Sequence, residues 1–119
     1  NRWSLVHRDD AAELFRLVVE QRAAGYFHAV DGHPLSVREV AEAASTAAGA
    51  GGRTRSWGQE EARSVLGSFA DALCLDQVAD ASRARALGWA PARAAFDAAA
   101  GEAFAEWGRE ERGGQGGGG

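Results

Sequence analysis

Glycines divide this sequence into short segments, and that division constrains its fold most strongly. Stretches with apolar residues at the helical spacing i, i+3, i+4 and i+7 run up to Gly25 and Gly49, and a shorter stretch ends at Gly88. Glycine stops a helix at such places because it adopts the left-handed conformation at no steric cost. The sequence therefore predicts several short helices.

Capping patterns give the starts of the first two helices. Asp10 with Glu13, and Ser36 with Glu39, each place a short oxygen side chain three residues before a carboxylate, which is typical of a helix start. We predict helices over residues 10–24, 36–49, 59–73, 79–87 and 91–107. Gly67 lies inside the third of these and disfavours helix there.

Three short stretches are predicted as strands. Trp3–Val6 opens the chain, Tyr26–Val30 is apolar on both faces as a covered strand would be, and Arg53–Trp57 alternates large and small residues. Residues 108–119 are glycine with a few charges, so we expect a disordered tail after one domain over residues 1–107. The predicted fold class is α/β, mostly helical with a few short strands.

Composition excludes several classes of function. The 119 residues suit one domain. The sequence has no run of about 18 apolar residues that would predict a membrane span, and no basic stretch before an apolar one that would predict a secretory signal. We therefore expect a cytoplasmic protein without a membrane partner. A net charge of -4 argues against nucleic acid as a partner. The lone Cys74 cannot form an internal disulfide, and no Cys and His spacing indicates a metal site.

Two absences bear on the kind of chain this is. It contains no methionine and opens at Asn1, so we expect a processed or excised segment. All 13 basic residues are arginine, so lysine chemistry is not supplied by this chain.

His7 lies next to possible catalytic partners. Asp9 or Asp10 could orient its imidazole as a general base, but either aspartate could instead cap the following helix, which the sequence favours. His28 and His33 are expected to be a packed and a solvated side chain. Of the tryptophans, Trp89 and Trp107 stand at helix ends, where a packing role is favoured over a stacking surface; Trp3 and Trp57 stay open.

Three blocks in order resemble the C-terminal part of the extended short-chain dehydrogenase/reductase family, the NAD-dependent epimerase/dehydratase group. Trp3–Ala12 is similar to the apolar, His and Asp stretch that leads into a helix. Gly25–Val30 with Leu35–Ala41 resembles the late Rossmann strand and its capped helix. Ser82–Pro91 resembles the family signature Ser-Lys-Ala-x-x-x-Leu-Gly-Trp-x-Pro, with arginine at the lysine position.

The resemblance implies a C-terminal segment of a Rossmann-like NAD(P)-binding fold. Family members carry a glycine-rich phosphate loop and a Tyr-x-x-x-Lys pair upstream of this region, and neither is in this chain, where Tyr26 is followed four places on by Val30. It therefore implies no catalytic or cofactor-binding residue here. NAD or NADP would bind the preceding half, and this segment alone would bind neither.

The resemblance also implies a substrate-side role and gives candidate lining residues: Trp3, His7, Trp57, Phe69 and Leu73. Sugar-nucleotide epimerases of the family have an arginine where Trp3 stands, so a more apolar small-molecule substrate is expected. For Phe69 and Leu73, helical spacing alone favours a place in the core equally.

Two hypotheses of different class follow. In the first, the chain is the substrate-binding segment of an NAD(P)-dependent oxidoreductase, epimerase or dehydratase, inactive without its Rossmann half and able to self-associate through uncovered apolar faces. In the second, it is a free-standing protein-interaction module derived from that fold.

Overall fold

The protein is mostly helical, with one very small sheet. The computed structural model describes residues 1–115. In chain order its elements are β1 (Arg2–Trp3), α1 (Arg8–Glu20), β2 (Leu35–Ser36), α2 (Val37–Ala47), α3 (Gln59–Leu66), α4 (Phe69–Leu73), α5 (Ser82–Ala86) and α6 (Phe96–Gln115). Within the described residues, no helix is long and apolar enough to cross a membrane.

The sheet has two antiparallel strands. Arg2 lies opposite Ser36 and Trp3 opposite Leu35, so the predicted strand over residues 3–6 coincides with the observed one only at Trp3. The predicted strands over 26–30 and 53–57 are wrong, since neither range is extended in a sheet.

The segment 26–30 is only partly packed against the core. Tyr26 is 86% exposed, whereas Phe27, Ala29 and Val30 contact the core. One backbone hydrogen bond, from the Asp31 N–H to the Leu5 carbonyl at 2.8 Å, joins its end to the opening segment. A strand with both faces covered lies in a sheet, where neighbouring strands pair with its edges. Among the described residues, no strand pairs with this segment.

The core lies between α1 and α5. Leu14, Ala81, Ala84 and Trp89 form its buried centre, and partly buried side chains around it are Val6, Leu17, Val18, Phe27, Ala29, Val30 and Leu87. Trp89 is 2% exposed, as its predicted packing role requires. Its indole N–H donates to the Asp10 carbonyl at 2.8 Å, which satisfies the one polar group that burial would leave unpaired.

The start of α1 differs from the prediction. His7 is the N-cap, and its Nδ1 accepts the Asp9 N–H at 3.0 Å, so the predicted Asp10–Glu13 capping box is wrong. At the other end Arg22 takes a positive φ of 50°, and the Ala23 N–H reaches back to the Val18 carbonyl at 3.0 Å. The helix thus ends before Gly25, in a left-handed turn formed by an arginine.

The predicted start of α2 is confirmed. Ser36 Oγ accepts the Glu39 N–H at 3.1 Å while the Glu39 carboxylate accepts the Ser36 N–H at 2.7 Å. The helix ends at Ala47 and is followed by Gly49 with a φ of 83°, as predicted. Helix α6 packs against α2 and buries Ala100 there.

The predicted third helix is interrupted. Gly67 adopts φ 62° and ψ -145°, a conformation that is essentially restricted to glycine, and it separates α3 from α4. Arg63 and Asp71 join the two helices again by hydrogen bonds of 2.7 and 3.0 Å.

The last two helices also have different limits from those predicted. Helix α5 is shorter than 79–87, and α6 begins at Phe96 rather than near Pro91. Helix α6 continues through Gly108 to Gln115, part of the range predicted to be a disordered tail, and the helix-favouring residues there are Arg109, Glu110, Glu111 and Arg112. Residues 116–119 of the predicted tail lie outside the described residues.

Candidate functional site

Asp10 organises the segment that precedes α6. Its side chain is buried, and the two carboxylate oxygens accept the Ala92 N–H at 3.0 Å and the Arg93 N–H at 2.9 Å. With its carbonyl bonded to Trp89, Asp10 holds the Gly-Trp-x-Pro turn against the first turn of α1. Helix α6 begins only at Phe96, three residues after the second of these N–H groups.

This arrangement forms a cavity of about 440 Å³ between the opening segment and α6. Leu5, Val6 and His7 line one side, and Asp31 and Phe96 contribute as well. The opposite wall is one face of α6, whose lining residues follow helical spacing: Ala99, Glu102, Ala103, Glu106, Trp107 and Glu110. The volume is within the usual range for small-molecule pockets, which is about 300–1,000 Å³.

His7 is the only predicted site residue among those that line this cavity. Its Nδ1 accepts a backbone hydrogen bond, so the neutral ring carries its proton on Nε2. The Asp9 carboxylate lies 3.9 Å from Nδ1. Since Nδ1 is an acceptor here, Asp9 does not hold His7 in the way that a carboxylate orients a general base, and the capping role applies to His7 itself.

Ion pairs cross the mouth of the cavity. The Arg8 guanidinium donates to Glu106 Oε1 at 2.7 Å, and Arg8 and Arg93 each lie 3.5 Å from the Asp9 carboxylate. The hydrogen bond from Arg8 lowers the pKa of Glu106, and the same bond raises the pKa of Arg8. Arg8 therefore fastens the first turn of α1 to the middle of α6.

Two other candidates, Trp3 and Leu73, meet at the sheet. The Trp3 indole N–H donates to the Leu73 carbonyl at 3.2 Å, and the Asn1 side-chain amide donates to the same oxygen at 2.7 Å. The Gln77 N–H donates to the Arg2 carbonyl at 3.0 Å. The end of α4 and the segment after it thus run beside β1, and a ligand at Trp3 would meet its ring rather than its N–H.

The remaining candidates, Trp57 and Phe69, lie on the surface. They are 43% and 61% exposed, and neither lines the cavity beside His7. Phe69 is therefore not a core residue, whereas Leu73 is half-buried. The structure brings together Trp3 and Leu73, places His7 at a separate cavity, and leaves Trp57 and Phe69 exposed.

Several residues of the cavity have no counterpart among the predicted site residues. Asp31 is 9% exposed and accepts the His33 N–H through Oδ1 at 2.8 Å. In the sequence it precedes Gly32, and Asp-Gly is a pair typical of turns rather than of a site. Glu102, Glu106 and Glu110 repeat every four residues, a signal that one face of α6 is acidic.

In the part of the chain that the structure describes, no group of three His, Cys, Asp or Glu residues could hold a metal ion. Comparison with protein-family models, with curated proteins and with solved structures gave no match.

Proposed function

We propose that this chain is the substrate-binding segment of an NAD(P)-dependent oxidoreductase, epimerase or dehydratase, and that a preceding Rossmann-like half binds the dinucleotide. One observation carries the proposal. The three blocks that resemble the family are far apart in sequence, yet each contributes to the same core: Val6 at the first, Phe27 at the second and Trp89 at the third.

Polar contacts also join these blocks. Asp10 of the first bonds to Trp89 of the third. The Arg83 guanidinium lies 5.2 Å from the centre of the Phe27 ring, a cation–π distance. Gly25 leaves room for it, because a Cβ there would lie 2.6 Å from Arg83 Nη2. A structural use for the arginine at the signature's cationic position supports the proposal.

The residues present do not fit NAD(P) as a ligand of this chain. A pyrophosphate is held at a helix N-terminus by free N–H groups and a favourable dipole. Each described helix of eight or more residues instead carries a carboxylate in its first turn: Asp9 and Asp10 in α1, Glu39 in α2, Glu60 and Glu61 in α3, and Asp97 in α6. These carboxylates repel phosphate, which supports the proposal that the dinucleotide binds another part of the protein.

Exposed apolar side chains between residues 57 and 78 support the proposal that the preceding half packs against this surface. Between residues 57 and 78, six large apolar side chains are at least one-third exposed: Trp57, Val65, Leu66, Phe69, Leu75 and Val78. They follow the chain from α3 to the segment beside Trp3. A preceding half that packs here would cover them and would form a cleft with Trp3 and Leu73 in its wall, which suits an apolar substrate.

The test is a pair of titrations with NADH and NADPH, followed by nicotinamide fluorescence. The gene product that contains this chain should bind one of the two saturably, and the 119-residue chain should bind neither. The proposal fails if that gene product binds neither dinucleotide, or if the 119-residue chain binds one by itself.

The exposed apolar side chains also allow the second function, a protein-interaction module. The two functions differ in what precedes Asn1 in the coding sequence. A glycine-rich loop and a Tyr-x-x-x-Lys pair upstream support the enzyme segment, whereas a start codon directly before Asn1 supports the module.

A further inference from the structure

We infer that helix α3 is a hinged flap, which swings about Gly67 and is held closed against α4 by the carboxylate of Asp71. The inference does not depend on the proposed function, because both helices and the hinge belong to the described residues. Its first support is the conformation of Gly67, whose φ of 62° and ψ of -145° turn the chain sharply between the two helices. A Cβ at Gly67 would meet no atom within 4 Å, so nothing packs against that side of the hinge.

Helix α4 is the fixed side of the hinge. The Leu73 carbonyl at its end accepts hydrogen bonds from the Trp3 indole N–H at 3.2 Å and from the Asn1 side-chain amide at 2.7 Å. Ala70, in the middle of the helix, is 1% exposed. These contacts fasten α4 to the start of the chain, so α4 stays in place when α3 moves.

Helix α3 is held much less firmly. Among the described residues, every hydrogen bond from an α3 side chain to another helix ends on the Asp71 carboxylate: Gln59 Nε2 donates at 2.9 Å, and Arg63 donates at 2.7 and 3.0 Å. The side chains of Arg63 and Asp71 are 55% and 41% exposed, and exposed ion pairs contribute little to stability. Ala62 is buried, and the other residues of α3 are exposed, so little apolar contact is lost when the flap opens.

The chain before α3 is long enough to follow the motion. Residues 53–58 are all exposed and form no helix or strand, and Gly51 and Gly52 before them have positive φ angles of 68° and 80°. Since an extended chain spans about 3.3 Å per residue, residues 53–58 reach about 20 Å. Helix α3 is only about 12 Å long. Its first residue can therefore leave α4 while the hinge at Gly67 stays in place.

Opening changes the apolar surface between residues 57 and 78. Ala62 becomes exposed, and Val65 and Leu66 on the moving helix separate from Phe69 on the fixed one. A partner or ligand that binds one arrangement more tightly than the other shifts the balance between them. The flap therefore makes this surface adjustable, whereas the core around Trp89 is not.

A pair of spin labels tests the inference in the 119-residue chain. One label is attached to the native Cys74, which is exposed directly after α4, and the other to Glu60→Cys near the start of α3. Pulsed electron paramagnetic resonance gives the distribution of distances, and dilution with unlabelled chain removes distances between copies. We expect a main population at short distance and a second population longer by about 10 Å, as the length of α3 allows. A single narrow distance in every sample would overturn the inference.

Variants test the role of Asp71. Asp71→Asn removes the charge that Arg63 binds and should raise the longer population about threefold or more. Arg63→Gln removes the other partner and should act in the same way, so the test stands if Asp71→Asn does not fold. Exchanging the two residues, Arg63→Asp with Asp71→Arg, restores an ion pair and should return the population to within about twofold of the original.

Glu20→Gln is the matched control. It breaks an exposed ion pair with Arg16 on α1 and removes the same charge far from the hinge, so the distribution should not change. If Asp71→Asn and Glu20→Gln give the same distribution, Asp71 does not hold the flap and the inference is wrong.

Discussion

The region around Asp10 and Trp89 and the region of α3 and α4 are built differently. Around Asp10 and Trp89 the chain closes on itself, with a buried indole, a buried carboxylate that accepts two backbone N–H groups, and side chains from distant segments. In α3 and α4 the buried residues are alanines, Ala62 and Ala70, while Val65, Leu66 and Phe69 are exposed. The difference teaches that the first region contains a buried centre formed by this chain, whereas the second buries only small side chains and exposes large apolar ones.

The largest expected effect separates two tryptophans. Trp89→Ala removes a fully buried ring and its hydrogen bond to Asp10, so the free energy of unfolding should fall by about 3–5 kcal/mol. Trp57→Ala, the matched change in the exposed region, should cost less than about 1 kcal/mol. Urea unfolding followed by circular dichroism measures both. Similar costs for the two variants would remove the distinction between the regions.

Asp10 should matter far more than its neighbour. Asp10→Ala leaves the N–H groups of Ala92 and Arg93 without their acceptor, and the expected loss of stability is about 2–3 kcal/mol. Asp9→Ala removes only exposed ion pairs and should change stability by less than about 1 kcal/mol. The comparison uses the same thermal unfolding measurement for both, and an equal loss would show that the Asp10 anchor is not specific.

The exposed apolar side chains should affect association more than folding. Replacing Val65 and Phe69 by serine should shift the isolated chain from oligomer towards monomer in sedimentation velocity, with a change in melting temperature of no more than about 2–4 °C. A large loss of melting temperature would mean that these side chains are packed in the isolated chain, contrary to their exposure.

The ion pair that joins α3 to α4 should make this region sensitive to acid. Hydrogen bonds from Arg63 and Gln59 lower the pKa of Asp71. A lowered pKa in the folded state contributes stability above the unfolded pKa of about 4, and that contribution is lost as pH falls through the folded value. Asp71→Asn should therefore reduce the decline in melting temperature below about pH 4. An unchanged acid profile would show that the pair adds nothing.

The smallest effect concerns the end of α1. Arg22→Gly removes the steric strain of a non-glycine residue at positive φ, but it also increases the entropy of the unfolded chain. The net result should be a gain in stability of about 0.5 kcal/mol. Arg38→Gly, inside α2, should instead lower stability by about 1 kcal/mol, because glycine disfavours a helix interior.

Local signals in the sequence were sufficient for some elements. The Ser36–Glu39 box predicts the start of α2 correctly because both of its hydrogen bonds lie within four residues. The same pattern at Asp10 fails, since that carboxylate is taken by N–H groups more than 80 residues away. The strand predicted over 26–30 fails because apolar content does not reveal whether a neighbouring strand exists.

The candidate site could be predicted only in part from the sequence, because it also depends on contacts between distant residues. His7 could be selected, but its cavity depends on α6, which Asp10 and Arg8 bring close. Trp3 and Leu73 meet through a side-chain to backbone bond that no spacing predicts. The acidic face of α6 can be predicted from the four-residue repeat of glutamates, but the sequence does not show which part of the chain this face lies against.

Amide hydrogen exchange tests the central claim most directly, by comparing the 119-residue chain with the gene product that contains it. Protection around Leu14 and Trp89 should be similar in both, because that core is complete. Protection over residues 59–73 should be low in the isolated chain and, if the proposed preceding half covers α3 and α4, should rise at least about tenfold in the larger product. Equal protection of 59–73 in the two samples would contradict the claim that this region is completed by another part of the protein.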